Sequence, residues 1–171
     1  MTVYAKTNPI GIDKKLLKIQ NKLSELTWDN FDVYGKLYIN QKNGEKIAEA
    51  FVGDGEYREV LIDDTKTAVF GFFIGDNRGG LNMIRVPVEL VCSCRLDKID
   101  DENERNDEEV LLTVLKKIKR ETGLLEPQER EIKTGLSNVF NRVSIEKFQY
   151  RDMHPWFNFS IAFDLIYKNE I

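Results

Sequence analysis

Few residues in this 171-residue chain are suited to acid–base or nucleophilic chemistry. Its one histidine, His154, stands directly before Pro155 at the start of a predicted strand, and a Ser-His-Asp or Cys-His arrangement would have to use it. We expect His154 to be a packed or capping residue instead. The 29 acidic residues offer too many pairings to test a glycosidase-type carboxylate pair from sequence. The sequence predicts no enzyme and no cofactor.

The two cysteines are predicted to be core residues. Cys92 and Cys94 are separated by one residue within an apolar run, so on a strand they share one face. Buried free cysteine behaves as a small hydrophobic residue, whereas a metal site would need further Cys or His ligands. Two cysteines make no disulfide framework, and we expect an intracellular, reducing origin.

Two further patterns resemble ligand sites but favour turns. Asp63 and Asp64 are adjacent, and neighbouring carboxylates on an extended chain point to opposite sides, which makes a poor chelate. The loop 75–80 has three glycines, yet a predicted strand follows it, whereas a phosphate cradle runs into a helix. We predict a flexible connection there. The candidate residues of a flexible assembly loop are Asp76, Asn77 and Arg78.

The clearest strand lies near the C-terminus, where large apolar side chains alternate with smaller or polar ones over residues 156–167. A period of two is typical of a strand with one buried face. Each such side chain stabilises the fold by roughly 1.5–3 kcal/mol when fully buried. The predicted core residues are Phe157, Phe159, Ile161, Phe163, Leu165 and Tyr167.

Further strands and two helices are predicted before it. Apolar spacing of three and four predicts a helix over 12–26, and a second helix follows Asn106, with Glu109 placed as in a capping box. The pair Asn43-Gly44 predicts a hairpin turn between strands at 34–42 and 45–52. The remaining predicted strands cover 57–62, 67–74, 86–96 and 131–134, and two helical turns follow Gly135.

This order predicts an α+β fold: a single, mostly antiparallel β-sheet with two main helices packed on one face. We expect residues 12–171 to form one domain and residues 1–11 to be a flexible N-terminal arm.

The charge distribution is uneven. The net charge is −4, and residues 97–109 carry eight acids and two bases, which leaves the rest of the chain slightly basic. This balance argues against a broad nucleic-acid-binding face. The lysines of the first helix are expected to form a solvated surface. With no signal peptide or membrane-spanning stretch predicted, we expect the protein in the cytoplasm.

The order of elements resembles the tail-terminator group of phage head–tail junction proteins and their prophage relatives. The resemblance covers roughly residues 15–170 and is one of pattern, without an invariant motif, so no functional residue is transferred. It is carried by the N-terminal helix, the Tyr57-to-Asp64 turn, the strand Val69-Phe70-Gly71-Phe72-Phe73, the helix opened by Asp107-Glu108-Glu109, and His154-Pro155-Trp156-Phe157-Asn158-Phe159.

The resemblance implies a non-enzymatic, homo-oligomeric protein that forms a hexameric ring, contacts tail-tube and head-connector proteins, and lets DNA pass without binding it specifically. Such a protein would reside in the bacterial host cytoplasm and, if phage-encoded, in the virion. If the chain forms such a ring, acidic residues lining the lumen would repel phosphates, whereas the plain interpretation of the same residues is a charged, solvent-exposed loop. These residues are Asp100, Asp101, Glu102 and Glu104. The alternative interpretation is a non-viral protein-binding or scaffold domain.

Overall fold

The strands of the chain form one sheet in the computed structural model, which describes residues 1–76, 78–80, 82–99, 106–122 and 131–168. In chain order the elements are β1 (Thr2–Val3), α1 (Gly11–Leu23), β2 (Phe31–Lys42), β3 (Glu45–Gly53), β4 (Glu56–Glu59), β5 (Ala68–Ile74), β6 (Arg78–Gly79), β7 (Met83–Arg95), α2 (Leu96–Ile99), α3 (Asp107–Thr122), β8 (Glu131–Thr134), α4 (Leu136–Val139), a 3-10 segment (Glu146–Asp152) and β9 (Trp156–Lys168).

The sheet is mixed but mostly antiparallel, which confirms the predicted fold class. Its strand order is β4-β3-β2-β5-β7-β9-β8, with β1 added beside β2 and β6 beside β7. The pairs β1·β2 and β2·β5 are parallel, and the other pairs are antiparallel. The long helices α1 and α3 contribute to the same core on one face of the sheet, as predicted.

The longest pairing joins β7 to β9 through thirteen residue pairs, from Met83 opposite Lys168 to Arg95 opposite Trp156. Four of the six predicted core residues of β9 are buried and the other two pack against them, so the buried face is confirmed. Cys92 and Cys94 lie in the same core and are fully buried. The alternation of period two therefore marks the helix-covered face of the sheet.

The opposite face of the sheet is covered as well. Leu136, Val139 and Phe148, from α4 and the 3-10 segment, pack into a second core together with Phe73 and Val91 of the central strands. Some polar side chains of β9 are also buried on this face of the sheet, because α4 and the 3-10 segment exclude water from it. The central strands are thus sandwiched between two hydrophobic layers.

The predicted hairpin is confirmed. Asn43 and Gly44 have positive φ values of 52° and 78°, as a two-residue turn between twisted strands requires. The helix predicted after Gly135 has one regular turn, and the strand predicted over 57–62 ends at Glu59. The Oδ1 atom of Asn106 has no hydrogen-bond partner among the described residues, so the predicted side-chain cap of α3 is not formed there.

The first residues of the predicted arm are attached to the sheet. Thr2–Val3 pairs with β2, the Tyr4 amide donates to the Val33 carbonyl at 2.9 Å, and the Tyr4 and Tyr34 rings stack with centroids 4.6 Å apart. A strand of two residues shows no periodicity, which is why the sequence indicated a flexible arm at this position.

A buried arginine anchors the segment that leads into β9. Arg151 is 1% exposed, donates to the carbonyl oxygen of Leu61 and to Asp64 at 2.5 Å, and stacks on the Trp156 ring 4.3 Å from its centroid. The backbone carbonyl of Arg151 accepts a hydrogen bond from the side-chain Nδ2 of Asn158 at 2.7 Å. Because a buried guanidinium needs its partners, these contacts fix the entry of β9 against the turn after β4.

We expect the Asp64→Asn substitution to cost about 1 kcal/mol of unfolding free energy near neutral pH, less than for a fully buried pair because Asp64 is half exposed. Partial burial opposes ionisation of Asp64, but hydrogen bonds from Tyr150 and Arg151 dominate and lower its pKa below 3.8. The stabilisation is therefore complete above about pH 4 and is lost as pH falls through the lowered pKa.

Urea denaturation of the wild type and of Asp64→Asn between pH 3 and pH 6 measures the difference in unfolding free energy. Asp54→Asn, at an exposed turn, is the control and should differ little from wild type throughout. A difference for Asp64→Asn that is the same at pH 3 as at pH 6 would contradict the role of the charge.

Candidate functional site

The predicted assembly-loop residues that the structure describes differ in their surroundings. Asp76 is exposed, and Arg78 belongs to β6, whose backbone pairs with Arg85 of β7. Gly75 donates its amide to the Pro87 carbonyl at 2.8 Å, so parts of the loop predicted to be flexible are held by hydrogen bonds to β7. The predicted lumen residues Asp100, Asp101, Glu102 and Glu104, together with Asn77, lie outside the described residues.

His154 was predicted to be packed or capping, and this was wrong: the residue is exposed. The chain turns at the surface between the 3-10 segment and β9, so the side chain is not drawn into either core. Burial raises the pKa of the Cys92 thiol well above its usual range, which disfavours a reactive thiolate. In the described part of the chain, no three His, Cys, Asp or Glu side chains form a metal-binding group.

The predicted turn at Asp63 and Asp64 is confirmed, and the two carboxylates have different partners. Asp63 accepts the Thr65 amide at 3.0 Å, whereas Asp64 binds Arg151. Sequence reasoning had no signal for the second contact, because Arg151 lies in a polar stretch that favours a surface position.

One edge of the sheet is formed by β4, which is short and charged. All four of its side chains are exposed, and Glu56 and Arg58 form an ion pair of 2.6 Å with each other. Tyr57 contacts the rings of Tyr38 and Phe51 at centroid distances of 5.5 and 5.8 Å. Short, charged edge strands resist unspecific pairing, so only a matched partner is expected to extend this edge.

The other edge is formed by β8 and β9, and β8 is much the shorter of the two. It pairs with β9 only from Phe159 to Ala162. Among the described residues, none donates to or accepts from the outer backbone edge of β9 over residues 163–168. This edge therefore combines four outer residues of β8 with a six-residue stretch of β9.

One hydrogen bond just beyond the β8–β9 pairs shows to which side of β9 its backbone amides point. The Asn158 carbonyl accepts the Gly135 amide at 3.1 Å and so points away from β7. Because directions alternate along a strand, the amides of Asp164, Ile166 and Lys168 also point outward. These three amides and their carbonyls have no partner among the described residues, and we call this stretch the β9 edge.

Charged side chains support β8 from the second face of the sheet. Glu89 of β7 is buried and binds Arg142, and Lys133 of β8 lies 4.0 Å from the same carboxylate. The guanidinium of Arg142 also lies over the Phe73 ring, 4.8 Å from its centroid. These contacts fix β8 in place and leave the exposed Ile132 at the edge.

No protein-family model and no curated protein matches the sequence. None of the helices within the described ranges combines the length and the apolar composition needed to cross a membrane.

We expect hydrogen exchange to distinguish the two halves of β9. The outward amides of Asp164, Ile166 and Lys168 should exchange fast, whereas those of Ser160 and Ala162, which face β8, should be protected at least tenfold more. Residue-resolved exchange by NMR measures this in the monomer. The inward amides of Phe163 and Leu165 are the control and should be slow, and slow exchange of all outward amides would contradict an open β9 edge.

Proposed function

We propose that this chain is a non-enzymatic structural subunit of a phage head–tail junction, which joins further copies of itself in a ring of the tail-terminator kind. The fold supports this proposal through its order of elements: α1 precedes the strands β2 to β7, and α3 stands between β7 and β9. These are the elements on which the resemblance rests. The ring would cap the tail tube and join it to the head.

The observation that carries the proposal is the difference between the two sheet edges. A closed ring needs two different, complementary surfaces on each subunit, because a head-to-tail contact cannot be made by one surface with itself. The β9 edge and β4 lie at opposite ends of the same strand order. We propose that the β9 edge of one copy pairs with β4 of the next, so that the sheet continues from subunit to subunit.

The partners of the ring follow from the same proposal. Tail-tube and head-connector proteins would contact its two faces, and DNA would pass through its centre. The four acidic residues predicted for the lumen, from Asp100 to Glu104, would repel the phosphates of passing DNA.

A second candidate function is a non-viral scaffold domain that binds an extended peptide. The exposed Ile132 on β8 favours it, because strand addition uses the backbone for affinity and an exposed side chain for specificity. The neighbouring genes distinguish the two candidates, since a terminator gene lies among portal, capsid and tail-tube genes.

Sedimentation velocity over a range of concentrations tests the ring. The wild type should form a closed species of about six copies, alone or when tail-tube protein is added. Ile166→Pro should reduce association at least tenfold, because it removes an outward amide and leaves the bonds to β7 in place. Ile166→Thr keeps the amide and is the matched control. A wild type that remains monomeric with and without tube protein would contradict the proposal.

A further inference from the structure

Helices α1 and α3 lie side by side and together carry a positively charged surface, which we call the basic belt. On α1 it comprises Lys14, Lys15, Lys18 and Lys22. On α3 it comprises Lys116, Lys117, Lys119 and Arg120.

The belt is grooved. One groove, of about 490 Å³, lies between the C-terminal parts of α1 and α3, and a second, of about 360 Å³, lies between α1 and the ends of β7 and β9. Lys18 and Lys22 stand one helical turn apart and connect the two. Of the described residues that line these grooves, Glu25 is the only acid, and it pairs with Lys22 at 2.8 Å and Lys117 at 3.6 Å.

The positions of these cations are only partly explained by the helices themselves. Lys22, Lys119 and Arg120 lie in last turns, where the helix dipole favours positive charge. Lys14, Lys15 and Lys18 lie before the last turn of α1, where the dipole does not favour positive charge.

We propose that the basic belt binds the phosphodiester backbone of a nucleic acid without sequence preference. From Lys14 to Lys22 the α1 row extends about 12 Å. A duplex of that length carries about seven phosphate charges, of which about half face one side, and this number is comparable with the four lysines of the α1 row. Contacts to phosphates alone carry no sequence information, so the binding is unspecific.

The composition of the groove between the helices favours nucleic acid over a protein partner. Among the described residues, this groove is lined by Lys, Arg, Glu and Thr side chains and offers no aromatic or aliphatic anchor, whereas the second groove also contains Met83, Ile166 and Tyr167. The energetic centre of a protein interface usually needs such an anchor, and lysine is depleted there.

The inference does not depend on the ring. The eight cations belong to α1 and α3, whereas the proposed subunit contact uses β4 and the β9 edge. Only the second groove adjoins that edge, because Ile166 and Lys168 also line it. A subunit beside a DNA passage could use such a surface, and so could a protein that has no role in a phage.

Fluorescence anisotropy with a labelled 30-base-pair DNA duplex of mixed sequence tests the inference. The wild type should bind at 50 mM NaCl, and its affinity should fall about 10²-fold or more at 200 mM, as expected for four or five phosphate contacts. The double variant Lys18→Gln/Lys119→Gln should bind roughly tenfold more weakly and reduce the salt slope by about 1.8.

The matched control is Lys42→Gln/Lys46→Gln, which removes the same charge from the β2–β3 hairpin and should bind as the wild type does. Both variants should keep the wild-type circular dichroism at the temperature of the binding assay. The belt variant should also keep the wild-type melting temperature, because Lys18 and Lys119 are exposed, whereas the control loses the ion pair between Lys42 and the buried Glu49. A single-stranded oligonucleotide of equal length shows which form of backbone is preferred.

Three results would overturn the inference. The first is no binding of either DNA at 50 mM NaCl, and the second is an equal affinity of the belt variant and the hairpin control. The third is that poly-glutamate, or vesicles containing phosphatidylserine, bind at least as tightly as the duplex and lose that binding in the belt variant. The third result would assign the belt to an acidic polypeptide or a membrane surface.

Discussion

The pairing of β7 with β9 is the constraint on which the rest of the structure depends. Thirteen residue pairs use the whole inner edge of β9, and the same register places its large apolar side chains under α1 and α3. Burial of that face supplies much of the hydrophobic stabilisation. It also leaves β9 no freedom to shift, because a shift by one residue would exchange its two faces and place polar side chains such as Asn158 and Ser160 under the helices.

Both faces of the sheet are covered, so functional surfaces lie elsewhere. The helices bury one face, and α4 with the 3-10 segment, anchored by Arg151, buries the other. Within the part of the chain that the structure describes, no strand covers the backbone edges at β4 and β9, and the outer sides of α1 and α3 are exposed. A molecule built in this way is suited to binding along its edges and helices, and the two proposals follow from those surfaces.

Elements with strong local patterns were predictable, and contacts between distant segments were not. The alternation over 156–167 predicted β9, and Asn43-Gly44 predicted the first hairpin. The attachment of Thr2–Val3 was missed because two residues have no period. The basic belt was missed because it forms only when α1 and α3, about ninety residues apart in sequence, are packed together. The net charge of −4 also gives no indication of a local cluster of positive charge.

Cysteine cross-linking between copies tests the central claim, that the β9 edge of one subunit meets β4 of the next. Arg58→Cys would be introduced in one tagged copy and a cysteine at each of 164–168 in turn in the other, while Cys92 and Cys94 stay buried and unreactive. The account predicts disulfide-linked pairs only in mixtures of the two variants, at one or two positions of β9. Efficient linking of a β9 variant to itself, or no linking at any of the five positions, would contradict it.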